Sequence, residues 1–258
     1  MTIEQPAARS ATPWAALAEE IDRWAAAGRP ATLWWRDDDA VEDTPELERL
    51  LALATAAGAP LALAVVPGNL SGSLRRRLAR NQAVDVLQHG WRHANHAAGG
   101  EGGWELGDHR PLPEVAAELK EGRERLREAF DGRFLPVLVP PWNHISERVV
   151  QALPGLGFSG LSTFGARERA TPAPGLVQVN AHCDPISWKN GARFAGTAKA
   201  LGDLIGHLQA RRSGTADPQE PTGLVTHHLQ MDEASWDFVT LLLQRTAAWQ
   251  SAREVFRP

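Results

Sequence analysis

The sequence predicts an α/β protein: a distorted (β/α) barrel of about seven parallel strands. Short apolar runs alternate with longer segments of helical periodicity, the pattern of strands joined by right-handed helical crossovers. Seven such units follow one another within 258 residues, with no internal repeat and no linker composition, which favours a closed barrel over an open sheet. Five polar clusters fall at the C-terminal ends of the apolar runs, the rim at which a (β/α) barrel assembles its site.

The chain divides into an N-terminal helical extension over 1–30, packed on a single barrel domain over 31–258. A helix over 12–27 carries the extension, and the first strand, 31–36, reads Ala-Thr-Leu-Trp-Trp-Arg. In the helix predicted over 45–57, Thr44 and Pro45 supply the N-cap and the first-turn residue, while Leu47, Leu50, Leu51 and Ala54 share one face. Strand 60–66, helix 71–80 and strand 83–88 continue the alternation until the Gly- and Pro-rich stretch from His96 to Pro113 interrupts it. Helix 113–130, strand 134–139, helix 146–153 and strands 157–163 and 176–180 follow. Helix 195–212, an exposed loop over 212–221, strand 223–228 and a helix over 232–252 complete the chain.

Composition narrows the chemistry. A formal charge of -4 gives no basic footprint for nucleic acid, whose phosphates ask for clustered Lys and Arg. The single cysteine, Cys183, excludes an intrachain disulfide and a cysteine-cluster metal centre, leaving sites built from His and carboxylate. No apolar run reaches the roughly 20 residues that span a bilayer, so no membrane partner is expected. The first residues lack the basic start and apolar core of an export signal, which implies a cytoplasmic protein. Tyrosine is absent, so it serves no role as acid, base or nucleophile.

The clusters at the strand ends are Arg36-Asp37-Asp38-Asp39, His89-Gly90-Trp91-Arg92-His93, Pro140-Pro141-Trp142-Asn143, His182-Cys183-Asp184 and His227-His228. Three consecutive carboxylates repel one another unless a cation or proton compensates; the competing reading is a solvated acidic turn in which Asp39 or Asp43 caps the next helix. His89 and His93, four apart, can face the same way, with His96 a further helical step on; together with an aspartate they make a donor set that suits zinc or a similar ion. Alternation sends His227 and His228 to opposite sides of their strand, so one of them at most faces the mouth, where an imidazole with an ordinary pKa of about 6.5 suits acid or base work. Trp34, Trp35, Trp91, Trp104, Trp142 and Trp188 lie in or near these clusters, offering faces for a sugar ring or for core packing. The run Gly155-Leu156-Gly157-Phe158-Ser159-Gly160 matches G-x-G-x-x-G but enters a strand, the reverse of the dinucleotide arrangement, and no P-loop, H-E-x-x-H or G-x-S-x-G elbow occurs.

In order along the chain, Trp35-Arg36-Asp37-Asp38-Asp39, His89-Gly90-Trp91-Arg92-His93, Val139-Pro140-Pro141-Trp142 and Leu224-Val225-Thr226-His227 resemble the T-F-D-D-G, H-x-x-x-H, R-x-P-Y and L-x-x-H motifs of the polysaccharide deacetylases, carbohydrate esterases of family 4. The resemblance covers about residues 31 to 230. It implies metal-dependent hydrolysis of an N-acetyl or similar amide, with Asp37 as base, Asp38, His89 and His93 as metal ligands and His227 as the acid. The overlapping pair, Asp38 as base with Asp39 as ligand, fits almost as well. The implied cofactor is one divalent ion, zinc foremost, with cobalt, manganese and nickel as alternatives; the implied substrate is an N-acetylated sugar or related small molecule. Arg36, Asp39, Trp91, Pro141, Trp142, Asn143, Asp184 and His228 are the expected supporting or substrate-side residues. Three departures stand out. Val139 or Pro140 replaces the motif's arginine, leaving Arg36 or Arg92 to substitute; Trp142-Asn143 stands where its tyrosine is expected; and Asp184-Pro185-Ile186-Ser187-Trp188 lacks the second aspartate of the family's fourth motif. The same residues admit a non-catalytic saccharide-binding barrel, or a metal-independent amidohydrolase of the same fold.

Overall fold

The strands are short, buried and alternate in what they face, which is what a closed parallel sheet under a helical layer demands. The computed structural model describes residues 12–81 and 83–257. Residues 1–11 of the expected extension, with the opening segment on which the export-signal reading rests, lie outside the described residues. Helix α1 (Pro13–Ala26), capped by Thr12, opens the described chain. The succession is then β1 (Leu33–Ala40), α2 (Pro45–Ala57), β2 (Leu61–Val65), α3 (Gly72–Ala79), β3 (Val84–His89), α4 (Leu112–Phe130), β4 (Phe134–Val139) and α5 (Glu147–Ala152). It continues with β5 (Gly160–Leu161), β6 (Val177–Gln178), β7 (Ile186–Ser187), β8 (Arg193–Phe194), α6 (Thr197–Ser213), β9 (Thr222–Thr226), α7 (Glu233–Arg245), β10 (Trp249–Gln250) and α8 (Ala252–Val255).

Seven parallel strands lie in the order β9-β1-β2-β3-β4-β5-β6. Beyond β6 the chain stays beside its neighbours: Phe164 bridges Ala181, and Cys183 bridges Leu224 of β9, so the sheet curls round and closes irregularly. The closure needs Gly223, because a Cβ there would stand 2.4 Å from the Asn180 carbonyl oxygen and 2.5 Å from Trp34 Nε1. Trp34, Ala62, Ala64, Leu87, Val137, Val139 and Val179 fill the interior, and Phe256 after α8 plugs the lower end, edge-on to Trp34 at 5.6 Å. The intervening residues, among them Leu33, Trp35, Leu61, Leu63, Val65, Val84 and Val86, face the helices. Helix α1 packs outside α6, where the Trp24 indole donates to the Leu208 carbonyl. No described helix is long and apolar enough to cross a membrane.

Strand β1 runs on to Ala40 rather than ending at Arg36, β9 ends at Thr226 rather than at 228, and two further elements differ from expectation. The helix expected over 232–252 stops at Arg245: Ala248 adopts φ 59°, β10 pairs with the start of β1, and the Ser251/Glu254 capping box begins α8. The segment before α6 carries an antiparallel hairpin, β7 with β8, that rises beside the rim.

Candidate active site

Strand alternation arranges the first cluster. Trp34, Arg36 and Asp38 occupy the inward positions of β1, while Leu33, Trp35 and Asp37 occupy the outward ones. Asp37 is fully buried on the helix side: its Oδ1 lies 2.5 Å from His228 Nδ1, and its Oδ2 accepts from Thr226 Oγ1 at 2.7 Å and the His228 amide at 3.0 Å. Continued alternation would send Asp39 the same way. Pairing with β2 slips between Asp37 and Ala40, however, and Asp39 takes φ 71°, so this bulge turns its carboxylate into the mouth beside Asp38.

His89 ends β3 with Nδ1 3.0 Å from the Val139 carbonyl oxygen. A carbonyl only accepts, so a neutral ring carries its proton on Nδ1 and turns the Nε2 lone pair to the cavity. Asp39 Oδ1 lies 3.1 Å from that Nε2 and 3.3 Å from Nε2 of His93, and the three ligand atoms lie within 4.8 Å of one another. Two donors at about 2.0–2.1 Å from a tetrahedral ion stand about 3.3 Å apart, so Asp39, His89 and His93 fit a divalent ion. Although burial opposes ionisation, His89, His227 and His93 hold the Asp39 carboxyl well below the usual carboxylate range. Burial also pushes His93 down, as does the adjacent His89. The turn between the two histidines is gathered by Glu105, whose carboxylate accepts the amides of Trp91, Arg92 and Ala94.

Asp38 is nearly fully buried, and its partner is Arg36, two residues back on the same face, with Nε 3.3 Å from Oδ1. The guanidinium also donates to the Ser162 carbonyl (2.9 Å), Ser162 Oγ (2.6 Å) and Asn143 Oδ1 (2.5 Å). On the other side, Asp38 Oδ2 stands 4.0 Å from His227 Nε2. The edge of Trp188 packs on His227 at 4.8 Å, while its indole N–H donates to Asp184 Oδ2 at 2.9 Å. Burial pushes the Asp184 carboxyl up, with nearby His227 opposing.

These groups open into a cavity of about 750 Å³. Asp38, Asp39, His89, His93, Trp142, Asn143, Asp184 and His227 line it, and Arg36 supports Asp38 from behind. Asp37, Trp91, Pro141 and His228 stand off its wall. The register of the aspartates is thus one residue later than the first expectation: Asp39, rather than Asp38, meets the two histidines, and Asp37 contacts no cavity group because alternation turns it outward. Trp91 is buried with the Arg92 and Arg125 guanidinium groups near its ring, Pro141 packs on Gly90, and His228 points to Asp37. His96 is exposed and does not join the cluster. Sequence reasoning missed His144, Phe164, Lys199 and Asp203 on the cavity wall. The break in alternation after His96 marks the loop on which His144 leans, where its Nδ1 meets the Gly103 oxygen at 2.8 Å; nothing marked the α6 residues Lys199 and Asp203.

A second cluster, His182, His207 and Glu220, is buried near the start of β9. Its donor chemistry does not suit an ion. The Gly223 amide donates to His182 Nδ1 at 2.9 Å, so a neutral ring carries its proton on Nε2, the atom facing Glu220 Oε2 at 3.5 Å. The two rings stack at 3.3 Å and 13°, too nearly parallel for one ion to lie in both ring planes. The cluster is structural: Glu220 accepts the Asn180 and Arg167 amides, and burial lowers His182 to about 4.

Fold and rim together define a distorted (β/α) barrel whose mouth holds a His-His-Asp set beside an Asp-His pair. Among solved structures, this is the fold of the polysaccharide deacetylases. The Bc1960 peptidoglycan N-acetylglucosamine deacetylase, solved with a hydroxamate-type benzamide, superposes with a TM-score of 0.55 at 14% identity, over 88% of each chain. The family 4 carbohydrate esterase from Streptomyces lividans in complex with acetate gives 0.54 at 13% identity, over 83% of this chain and 87% of that one. A family 4 pseudoenzyme from Bacillus anthracis gives 0.54 at 12% identity, over 88% and 66%. No family model and no curated protein matches the sequence.

Proposed function

We propose that this chain is a metal-dependent hydrolase of a carbon-nitrogen amide bond, a deacetylase of an N-acetylated sugar or related small molecule. The observation that carries the reading is the convergence of Asp39 Oδ1 with the Nε2 atoms of His89 and His93 in the same cavity as the Asp38/His227 pair. A pseudoenzyme shares the fold, so the weight rests on these residues rather than on the likeness.

Asp39, His89 and His93 would hold the ion, with zinc first by donor type and cobalt, nickel or manganese as substitutes. When bound, such an ion polarises an acyl oxygen and makes water a stronger acid. Asp38 is the base: Arg36 holds its carboxylate at Oδ1, while Oδ2 faces the cavity to take the proton of the attacking water. His227 Nε2, 4.0 Å from that oxygen, gives a proton to the departing amine. Trp142, Phe164 and Trp188 expose 37%, 45% and 49% of their surfaces around the mouth, an apolar rim on which a sugar face can stack.

The test is acetate and amine release from N-acetylglucosamine and its short oligomers, with metal content measured on the same protein. One equivalent of a divalent ion, with activity lost to a chelator and restored by zinc or cobalt, is the expected outcome. Full turnover in metal-free protein would overturn the metal assignment, and saccharide binding without release would overturn the hydrolase in favour of a non-catalytic barrel.

A further inference from the structure

We infer that Gly103 and Trp142 form a positioning pair that presets His93 for the metal, an inference that rests on the metal reading above. The two metal histidines are held differently. His89 is buried and its Nδ1 is fixed by the Val139 carbonyl, whereas the His93 side chain is 28% exposed and sits on a backbone with φ 57°. Against the His93 ring lies the Trp142 indole, with centroids 4.2 Å apart and planes at 59°.

Trp142 itself has φ 55°, followed by Asn143 at 59°. A non-glycine residue in this region is strained and persists only where its surroundings over-determine it. The Asn143 amide donates to the Pro140 carbonyl, its side chain accepts from Arg36, and the His144 ring meets the Gly103 carbonyl oxygen. Gly103 completes them. Its Cα is the seat of the indole, for a Cβ there would fall 2.3, 2.4 and 2.7 Å from Trp142 Cδ2, Cε2 and Cγ. The Gly103 backbone is not left-handed, so alanine is acceptable to the chain and unacceptable only to the ring. One turn therefore serves both halves of the site: Trp142 bears on the ligand His93, and Asn143 bears on Arg36 and through it on Asp38.

The experiment compares wild type, Gly103→Ala, Trp142→Phe, Trp142→Ala and the Gly103→Ala/Trp142→Ala double variant. It reads cobalt affinity by chelator competition, the cobalt d-d spectrum and thermal unfolding. Gly103→Ala should weaken cobalt binding by about 10- to 100-fold, the usual effect of losing an outer partner of a ligand, and should alter the spectrum while the apo protein stays folded. Trp142→Phe should recover much of what Trp142→Ala loses, and the double variant should bind no more weakly than Trp142→Ala, because the alanine acts only through the ring. Wild-type affinity and spectrum in Gly103→Ala, or losses that simply add in the double variant, would overturn the pair. Should Gly103→Ala fail to fold, equal affinity of Trp142→Ala and wild type would do the same. A wild-type protein that binds no cobalt or zinc overturns the metal reading itself, a result distinct from the others.

Discussion

Replacing His228 by alanine tests the division of labour between the two adjacent histidines. His228 is buried and does not line the cavity; it holds Asp37, which closes the seam between β1 and β9 through Thr226. Removing one partner of a buried ion pair costs about 3–5 kcal/mol. Alanine keeps the backbone amide, and Thr226 Oγ1 stays in place, so Asp37 retains two donors and the loss falls at the lower end, about 3 kcal/mol. At roughly 2–4 °C per kcal/mol for a chain of this size, Tm falls by about 6–12 °C. Burial alone would lower the His228 imidazole, but the Asp37 carboxylate outweighs it and holds the pKa above the ordinary histidine value. A raised pKa stabilises the fold fully below the unfolded value of about 6.5, and the contribution is lost as pH rises through the folded value. The Tm gap between wild type and His228→Ala is therefore widest near pH 6 and narrows towards pH 9. Turnover at a temperature where both are folded should be nearly unchanged, whereas His227→Ala should lower kcat by about 10² to 10⁴ with little change in Tm. A His228→Ala variant with wild-type Tm and a hundredfold loss of kcat, or a gap that widens as pH rises, would refute the reasoning.

Asp38→Asn should keep its metal and lose about 10²- to 10⁴-fold in kcat, while Asp39→Asn should lose metal affinity first; metal analysis beside kinetics separates them. Arg36→Lys should lower kcat at nearly constant metal content, because one ammonium cannot reach Ser162, Asn143 and Asp38 together as the guanidinium does; wild-type kcat would remove Arg36 from the site. Glu220→Gln should destabilise at neutral pH and flatten the acid limb of the stability curve. The Glu220 carboxyl is held low despite burial, chiefly by His182 and His207, so its contribution is present above the unfolded value of about 4.3 and lost as pH falls below it towards the folded value; urea unfolding from pH 7 down to about 2 measures it.

The fold was legible where local and long-range demands agree. Helix α2 has Thr44 at its N-cap, Gly58 at its C-cap and an apolar face between them, and β4 is a plain apolar run, so both lie where periodicity puts them. The helix expected to run to residue 252 was illegible because its end is set by a tertiary contact, β10 against β1, that no local pattern announces. The site divides in the same way. Arg36 and Asp38 are two apart on a strand and so share a face, and of the two arginines left open by the sequence it is Arg36 that stands beside Asp38. The same alternation applied to Asp37, Asp38 and Asp39 gives two aspartates outward and one inward. The bulge at Asp39 breaks that count. Its φ of 71° is a conformation that Asp tolerates better than most residues but that sequence does not impose, and it is imposed here by the slip against β2. The order of residues therefore sufficed to find the carboxylate cluster, while the proposed roles of base and ligand within it depend on one backbone angle fixed by the neighbouring strand.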